Sequence, residues 1–73
     1  MTPQSRERVA RNFIKRYGKA RFKSLINAFR ELRSGQKVAD QLGVSRERVR
    51  QWRNAFGETI TVYAPHPEVL SLL

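Results

Sequence analysis

Apolar residues in the first half of the chain recur with the period of an α-helix. A first stripe has steps of one, three and four residues and consists of Val9, Ala10, Phe13, Ile14 and Tyr17. A second stripe has the same spacing and consists of Phe22, Leu25, Ile26, Phe29 and Leu32. This periodicity predicts two amphipathic helices, near residues 3–17 and 20–33. Thr2-Pro3 suits the start of the first helix, and Gly18 suits its end. Ser34-Gly35 suits the end of the second helix.

Two shorter apolar patterns follow on either side of Gly43. The first predicts a helix from about Gln36 to Leu42, and the second predicts a helix from Ser45 to about Phe56. Ser45 is a favourable N-cap for the second of these helices, because its hydroxyl can accept from a first-turn N–H. Gly57 marks the end of that helix. The chain up to this point is therefore predicted to be all-α, with four helices.

The pattern changes after Gly57, where polar and apolar residues alternate from Thr59 to Tyr63 and are mostly β-branched or aromatic. Such alternation predicts a strand, and Glu68 to Leu73 predicts a last apolar turn of helix. A single strand has no partner within the chain. The segment therefore pairs with something else, is an extended arm, or is not a strand at all. We predict a short C-terminal strand or extended arm over residues 58–73, in which Thr59 to Tyr63 is the candidate to pair with its copy in a homodimer.

Residues 36–56 match the helix-turn-helix pattern, in which two helices cross closely at a tight turn. Ala39 is small enough for the crossing, and Gly43 can adopt the positive φ that the turn requires. The predicted motif core comprises Ala39, Leu42, Gly43, Val44, Val49 and Trp52. These residues leave the other positions of the second helix free to project outward.

The outward positions of the second helix carry side chains suited to the edges of DNA bases. We predict that the base-reading residues are Arg46, Glu47, Arg50, Gln51 and Asn54. In the major groove, arginine reads guanine, and glutamine or asparagine reads adenine.

Residues 43–51 resemble the recognition helix in the promoter-reading region of bacterial sigma factors. They are also similar to the helix-turn-helix of phage and mobile-element repressors. The resemblance implies that Arg46, Glu47, Arg50 and Gln51 contact bases or phosphates. Trp52-Arg53 departs from the sigma pattern, and 73 residues leave no room for polymerase-binding regions. We therefore take from the resemblance the mode of recognition and not the role of a sigma factor.

The charge of the chain supports a polyanionic partner. The formal net charge is +9 over 73 residues, with +8 on residues 1–34, +3 on residues 35–56 and −2 on residues 57–73. Basic side chains hold phosphates without choosing sequence. The predicted phosphate-binding residues are Ser45, Arg48, Arg53, Lys37, Arg6, Arg8, Arg11, Lys15, Lys19, Arg21 and Lys23.

Other chemistries find little support in the sequence. There is no cysteine and only one histidine, His66, which lies between two prolines. We therefore predict no metal, no cofactor and no enzymatic activity. No apolar run approaches the roughly 20 residues of a membrane span, and residues 1–8 lack the apolar segment of a signal peptide. The expected location is the cytoplasm, at the nucleoid, of a bacterial cell or phage-infected host.

The sequence as a whole predicts a basic, DNA-binding transcriptional regulator of bacterial or phage type. A helical domain over residues 1–57 binds specific sites in double-stranded DNA, and residues 58–73 form the arm. One alternative is an architectural or recombination factor of excisionase type that bends DNA with little regard to sequence. The other alternative is a protein-interaction module whose residues 58–73 contact a larger regulator or polymerase.

Overall fold

The computed structural model describes residues 2–73, which contain five helices and a two-stranded sheet. The elements in chain order are α1 (Pro3–Tyr17), α2 (Lys19–Arg30), α3 (Gly35–Leu42), α4 (Arg46–Phe56), β1 (Gly57–Thr59), β2 (Tyr63–Pro65) and α5 (Pro67–Leu70). The mostly helical architecture agrees with the all-α prediction. The last helix, α5, lies where an apolar turn of helix was predicted over Glu68 to Leu73, although it begins at Pro67 and ends at Leu70. Met1, the first residue of the predicted 1–57 domain, lies outside the described residues.

Three of the helices begin at hydroxyl caps. Thr2 precedes α1, Ser34 precedes α3 and Ser45 precedes α4, and each hydroxyl oxygen accepts a hydrogen bond from a backbone N–H three residues later at 3.1–3.2 Å. Each bond satisfies a first-turn donor that has no partner within its helix. The caps explain why the predicted starts of these helices are close to the observed ones.

The second helix ends earlier than the predicted boundary at residue 33. α2 stops at Arg30, and the backbone N–H of Arg33 closes the turn by donating to the carbonyl oxygen of Ala28 at 3.0 Å. Leu32 has φ 56°, a left-handed conformation unusual for leucine. The residue is 57% exposed to solvent. The prediction of Leu32 as part of the buried stripe is therefore wrong, because the chain has already turned towards α3.

The prediction of a strand over 59–63 without a partner in the chain is wrong. β1 pairs with β2 in an antiparallel hairpin, in which Glu58 lies opposite Ala64 and Thr59 opposite Tyr63. Residues 60–62 form the turn, where the N–H of Ile60 donates to the carbonyl oxygen of Val62 at 3.1 Å. The alternating pattern that predicted one strand spans both sides of this turn.

Gly57 permits the hairpin to close against the end of α4. A Cβ at this position would lie 2.5 Å from the carbonyl oxygen of Ala64 and 2.8 Å from Cα of Pro65. Both neighbours are backbone atoms, which cannot move aside as a flexible side chain can. The absence of a side chain at Gly57 is therefore what brings the two strands together here.

All five helices and the hairpin contribute to one hydrophobic core. Its buried members are Ala10, Phe13, Phe22, Leu25, Ile26, Ala28, Phe29, Val38, Ala39, Val49, Trp52, Ala55, Phe56, Tyr63 and Val69. Aromatic rings meet edge to face at its centre, with centroids 4.9 Å apart for Phe13 and Trp52 and 5.5 Å apart for Phe22 and Phe56. Val69 is completely buried, so the last helix is part of this core.

The C-terminal segment folds back on the helices and does not extend from them as an arm. The Tyr63 hydroxyl donates to the backbone oxygen of Arg53 at 2.7 Å, and burial raises the pKa of this hydroxyl far above its ordinary value. The Arg6 guanidinium donates to the Glu68 carboxylate at 3.0 Å, which links α1 to α5. Among residues 2–73, every helix is too short or too polar to cross a lipid bilayer.

Candidate nucleic-acid interface

α3 and α4 pack against each other across a tight turn at Gly43. Gly43 has φ 68° and ψ 35°, and its N–H donates to the carbonyl oxygen of Ala39. This left-handed conformation suits glycine, which has no Cβ to clash with the following peptide. Ala39 and Val49 are 1% and 0% exposed, so a small residue of α3 and a β-branched residue of α4 are both buried in the core.

The residues predicted to form the motif core lie on the inner side of this helix pair. Ala39, Val49 and Trp52 are buried, and Leu42 and Val44 are half-buried against the same core. Trp52 also contacts the rings of α1, with its centroid 5.8 Å from that of Tyr17. These contacts fix the orientation of α4 about its own axis.

The opposite face of α4 is open to solvent. The five predicted base-reading residues are all exposed, namely Arg46, Glu47, Arg50, Gln51 and Asn54. They adjoin one another on the side of the helix away from the buried residues Val49, Trp52, Ala55 and Phe56. The structure thus brings together the side chains that the sequence had placed on one face.

Two of these five side chains are paired with each other. Arg50 donates from Nη2 to Oε1 of Glu47 at 2.6 Å and from Nε to Oε2 at 3.0 Å. The hydrogen bonds from Arg50 lower the pKa of the Glu47 carboxyl, and the bonds to Glu47 raise the pKa of Arg50. The i, i+3 spacing of opposite charges on a helix is a signal from which this pair can be anticipated. In the free protein, Arg50 is therefore held by a neighbour on its own helix.

A cleft of about 470 Å³ lies between α1 and α4. Its lining residues are Val9, Asn12, Phe13, Arg16, Tyr17, Arg48, Gln51, Trp52 and Ala55. Arg48 belongs to the predicted phosphate-binding set, and its guanidinium lies 5.5 Å from the centroid of the Trp52 ring. Asn12 and Arg16 were not predicted as site residues, and the sequence signal available for them was their place at the edge of the first apolar stripe.

A second cleft, of about 420 Å³, lies on the other side of α4 near the start of α3. It brings together Gly35 of α3 and Arg46, Arg50 and Arg53 of α4. The position of Arg53 is fixed by the fold, since its guanidinium donates to the backbone oxygen of Arg33 at 3.2 Å and lies 5.2 Å from the centroid of the Phe29 ring. Both flanks of the open α4 face thus carry arginines.

The remaining predicted phosphate-binding residues fall into four groups. Lys37 belongs to α3 and lies near Gln41. Arg21 of α2 lines a groove of about 300 Å³ together with the same Gln41. Arg6 and Arg11 are engaged in ion pairs with Glu68 and Glu7 at 3.0 and 2.9 Å. A third group of predicted residues is exposed on the outer surfaces of α1 and α2, and it consists of Arg8, Lys15, Lys19 and Lys23. The Ser45 hydroxyl is occupied as the cap of α4.

Comparisons of the chain with models of protein families, with curated proteins and with solved structures find no match. Within residues 2–73, no three His, Cys, Asp or Glu side chains are grouped so that they could hold a metal ion.

Proposed function

We propose that the protein is a sequence-specific transcriptional regulator that binds double-stranded DNA. In this proposal, α3, the Gly43 turn and α4 form a helix-turn-helix, and α4 enters the major groove. The observation that carries the proposal is the group of five exposed side chains on the one face of α4 that the core leaves uncovered.

The size and chemistry of α4 suit the major groove. A groove about 12 Å wide admits one α-helix with its side chains. Arg46 and Arg50 match the two acceptors of guanine, and Gln51 and Asn54 match the donor and acceptor of adenine. Glu47 can accept from the amino group of cytosine, but it must first release Arg50. Site selection therefore includes the opening of an ion pair.

The charge distribution supports the same orientation. Arg48 and Arg53 lie on the two flanks of α4, where the phosphates of the groove walls would lie. If roughly 6–10 phosphates are neutralised, affinity falls on the order of 10³–10⁵-fold between 50 and 200 mM salt. This electrostatic contribution provides affinity, and the α4 face provides the choice of site.

A single α4 reads few base pairs, and we propose that a homodimer reads two half-sites one helical turn apart. Two apolar residues at the hairpin turn, Ile60 and Val62, are 77% and 63% exposed and are open to such a contact. An inverted repeat in the selected DNA supports the dimer, and a single short motif contradicts it. The proposed place of action is the nucleoid of a bacterial or phage-infected cell.

Selection of bound sequences from a random pool of duplexes tests the function. On the selected site, we expect Arg50→Ala to lose about 1–3 kcal/mol of binding free energy while binding to random duplexes changes little. Lys23→Ala, which removes one charge from the outer surface of α2, is the control and should not alter the sequence preference.

The other outcomes identify the alternatives. Equal weakening of Arg50→Ala on every duplex would favour an architectural or recombination factor. Failure of the wild-type protein to retard any duplex at low salt would favour a protein-interaction module.

A further inference from the structure

We propose that the cleft between α1 and α4 binds one phosphodiester group of the DNA backbone, with Arg16 on one wall and Arg48 on the other. This inference rests on the proposed function and adds to it a contact from α1. Arg16 would hold the strand beside the reading face and would thereby fix the register of α4 along the groove.

The first support is the unbalanced charge of the cleft. Arg16 and Arg48 line it together, and no carboxylate is found among its lining residues within the described part of the chain. Within residues 2–73, neither arginine takes part in an ion pair, whereas Arg6, Arg11 and Arg50 each do. Two unneutralised guanidinium groups face one concave surface, which favours an anionic occupant.

The second support is the way aromatic rings hold both guanidinium groups. Arg16 lies 5.6 Å from the centroid of Tyr17, and Arg48 lies 5.5 Å from that of Trp52. The two rings meet edge to face with centroids 5.8 Å apart. Cation–π contact restrains each guanidinium and leaves its in-plane N–H groups free to donate. Such donors match the two free oxygens of a phosphodiester.

The third support is the position of the cleft relative to the reading face. Gln51 belongs to that face and also lines the cleft. A phosphate between Arg16 and Arg48 would therefore lie beside a base-reading side chain. A helix within the major groove has strand phosphates along both flanks, so a backbone phosphate is the occupant that fits this place. The Asn12 amide on the α1 wall adds a neutral donor.

The test compares Arg16→Ala with Arg30→Ala, which removes the same charge from an exposed position at the end of α2. We expect Arg16→Ala to weaken binding by the same factor on selected and random duplexes and to reduce the salt slope, the change in log affinity with log salt, by about 1. Arg30→Ala should leave that slope unchanged. Arg16→Lys, which keeps the charge, should restore most of the slope.

Two further measurements locate the contact. In an ethylation-interference experiment, one phosphate whose ethylation prevents binding of the wild type should no longer do so with Arg16→Ala. With Arg30→Ala, the set of interfering phosphates should be the same as with the wild type. Trp52 is the only tryptophan, so its fluorescence reports on the wall beneath Arg48. Duplex binding should change its emission in the wild type and change it less in Arg16→Ala.

The outcomes separate the two proposals. If the wild type binds duplexes and Arg16→Ala behaves as Arg30→Ala does, the cleft inference is overturned and the proposed function stands. If the wild type binds no duplex, both are overturned. If inorganic phosphate alone produces the full change in Trp52 emission at micromolar concentration, the cleft is a site for a free anion, and the assignment to the DNA backbone is overturned.

Discussion

The α3–α4 segment, residues 35–56, and the C-terminal segment, residues 57–73, pack on the same core but leave opposite surfaces to solvent. Inward, the first contributes Val49 and Phe56, and the second contributes Tyr63 and Val69. Outward, the first carries a net charge of +3 and an open polar face, whereas the second carries −2 and exposes apolar side chains at its turn. Both segments contribute buried residues to the stability of the fold. Of the two, only residues 35–56 carry the net positive charge that would attract a polyanion.

If the proposed function holds, this difference implies that stability and DNA binding can be changed separately. Substitutions on the open face of α4 remove few buried contacts, because that face is exposed from Arg46 to Asn54. Substitutions in the C-terminal segment alter the core, and this segment itself carries two acidic side chains and no lysine or arginine. Each of the following changes tests this separation.

Removal of residues 58–73 should have the largest effect. Burial of a large apolar side chain contributes about 1.5–3 kcal/mol, so loss of Tyr63 and Val69 should lower the free energy of unfolding by about 3–6 kcal/mol in total. That amount is a large part of the stability of a domain of this size. Urea unfolding followed by circular dichroism measures it. An unchanged midpoint would show that the C-terminal segment is not part of the cooperative fold.

Gly57→Ala should have the next largest effect, at about 1–3 kcal/mol of unfolding free energy. The added methyl group meets the backbone of Ala64 and Pro65 at 2.5–2.8 Å, so the hairpin must shift away from α4. The matched control is Gly35→Ala, because a Cβ there has no neighbour within 4 Å. Thermal unfolding should show a lower midpoint for Gly57→Ala alone, and equal midpoints would contradict the close approach.

Glu47→Gln should change DNA binding without changing the thermal midpoint. The substitution removes a negative charge from the reading face and frees Arg50 from a carboxylate at 2.6 Å. We expect tighter binding to random duplexes and a salt slope steeper by about 1. Asp40→Asn, which removes the same charge from α3, is the control. Unaltered binding to random DNA by Glu47→Gln would indicate that the ion pair does not restrain Arg50.

The smallest expected effect is the pH dependence of the link between α1 and α5. The pKa of Glu68 is lowered in the folded protein by a bond from its own backbone N–H and by the bond from Arg6. A lowered folded pKa stabilises the fold above the unfolded pKa, and that stability is lost as the pH falls through the folded pKa. Wild type should therefore have a higher melting midpoint than Glu68→Gln at pH 7, and the two midpoints should converge once the pH has fallen below the folded pKa of Glu68. A constant difference would exclude this carboxylate as the cause.

Much of the helical framework could be predicted because its signals are local. Apolar spacing located the helices, and hydroxyl caps at Thr2 and Ser45 located their starts. The positive φ predicted for Gly43 is confirmed. The residues of the open α4 face could also be predicted from spacing alone, since a rigid helix that buries Val49 and Trp52 exposes the positions on its opposite side.

The early end of α2 at Arg30 is a local error of prediction. The other differences between prediction and structure arose where distant parts of the chain meet. The hairpin depends on an approach of Gly57 to Ala64 and Pro65 that no periodic pattern records. The pair formed by Arg6 and Glu68 joins residues far apart in sequence, so spacing could not show that Arg6, a predicted phosphate-binding residue, has a carboxylate partner. Arg16 was overlooked for the same reason, because only the packing of α1 on α4 makes it a wall of the cleft.

The sequence by itself determined which residues form helices, which side of each helix is apolar, and which polar side chains share the outer face of α4. These properties depend on backbone geometry over a few residues. Only the tertiary structure decided that the C-terminal segment completes the core, that Arg6 is engaged by Glu68, and that Arg16 and Arg48 line one cleft beside α4. Those outcomes depend on the meeting of separate elements, where burial and ion pairing are set by distances in space and not along the chain.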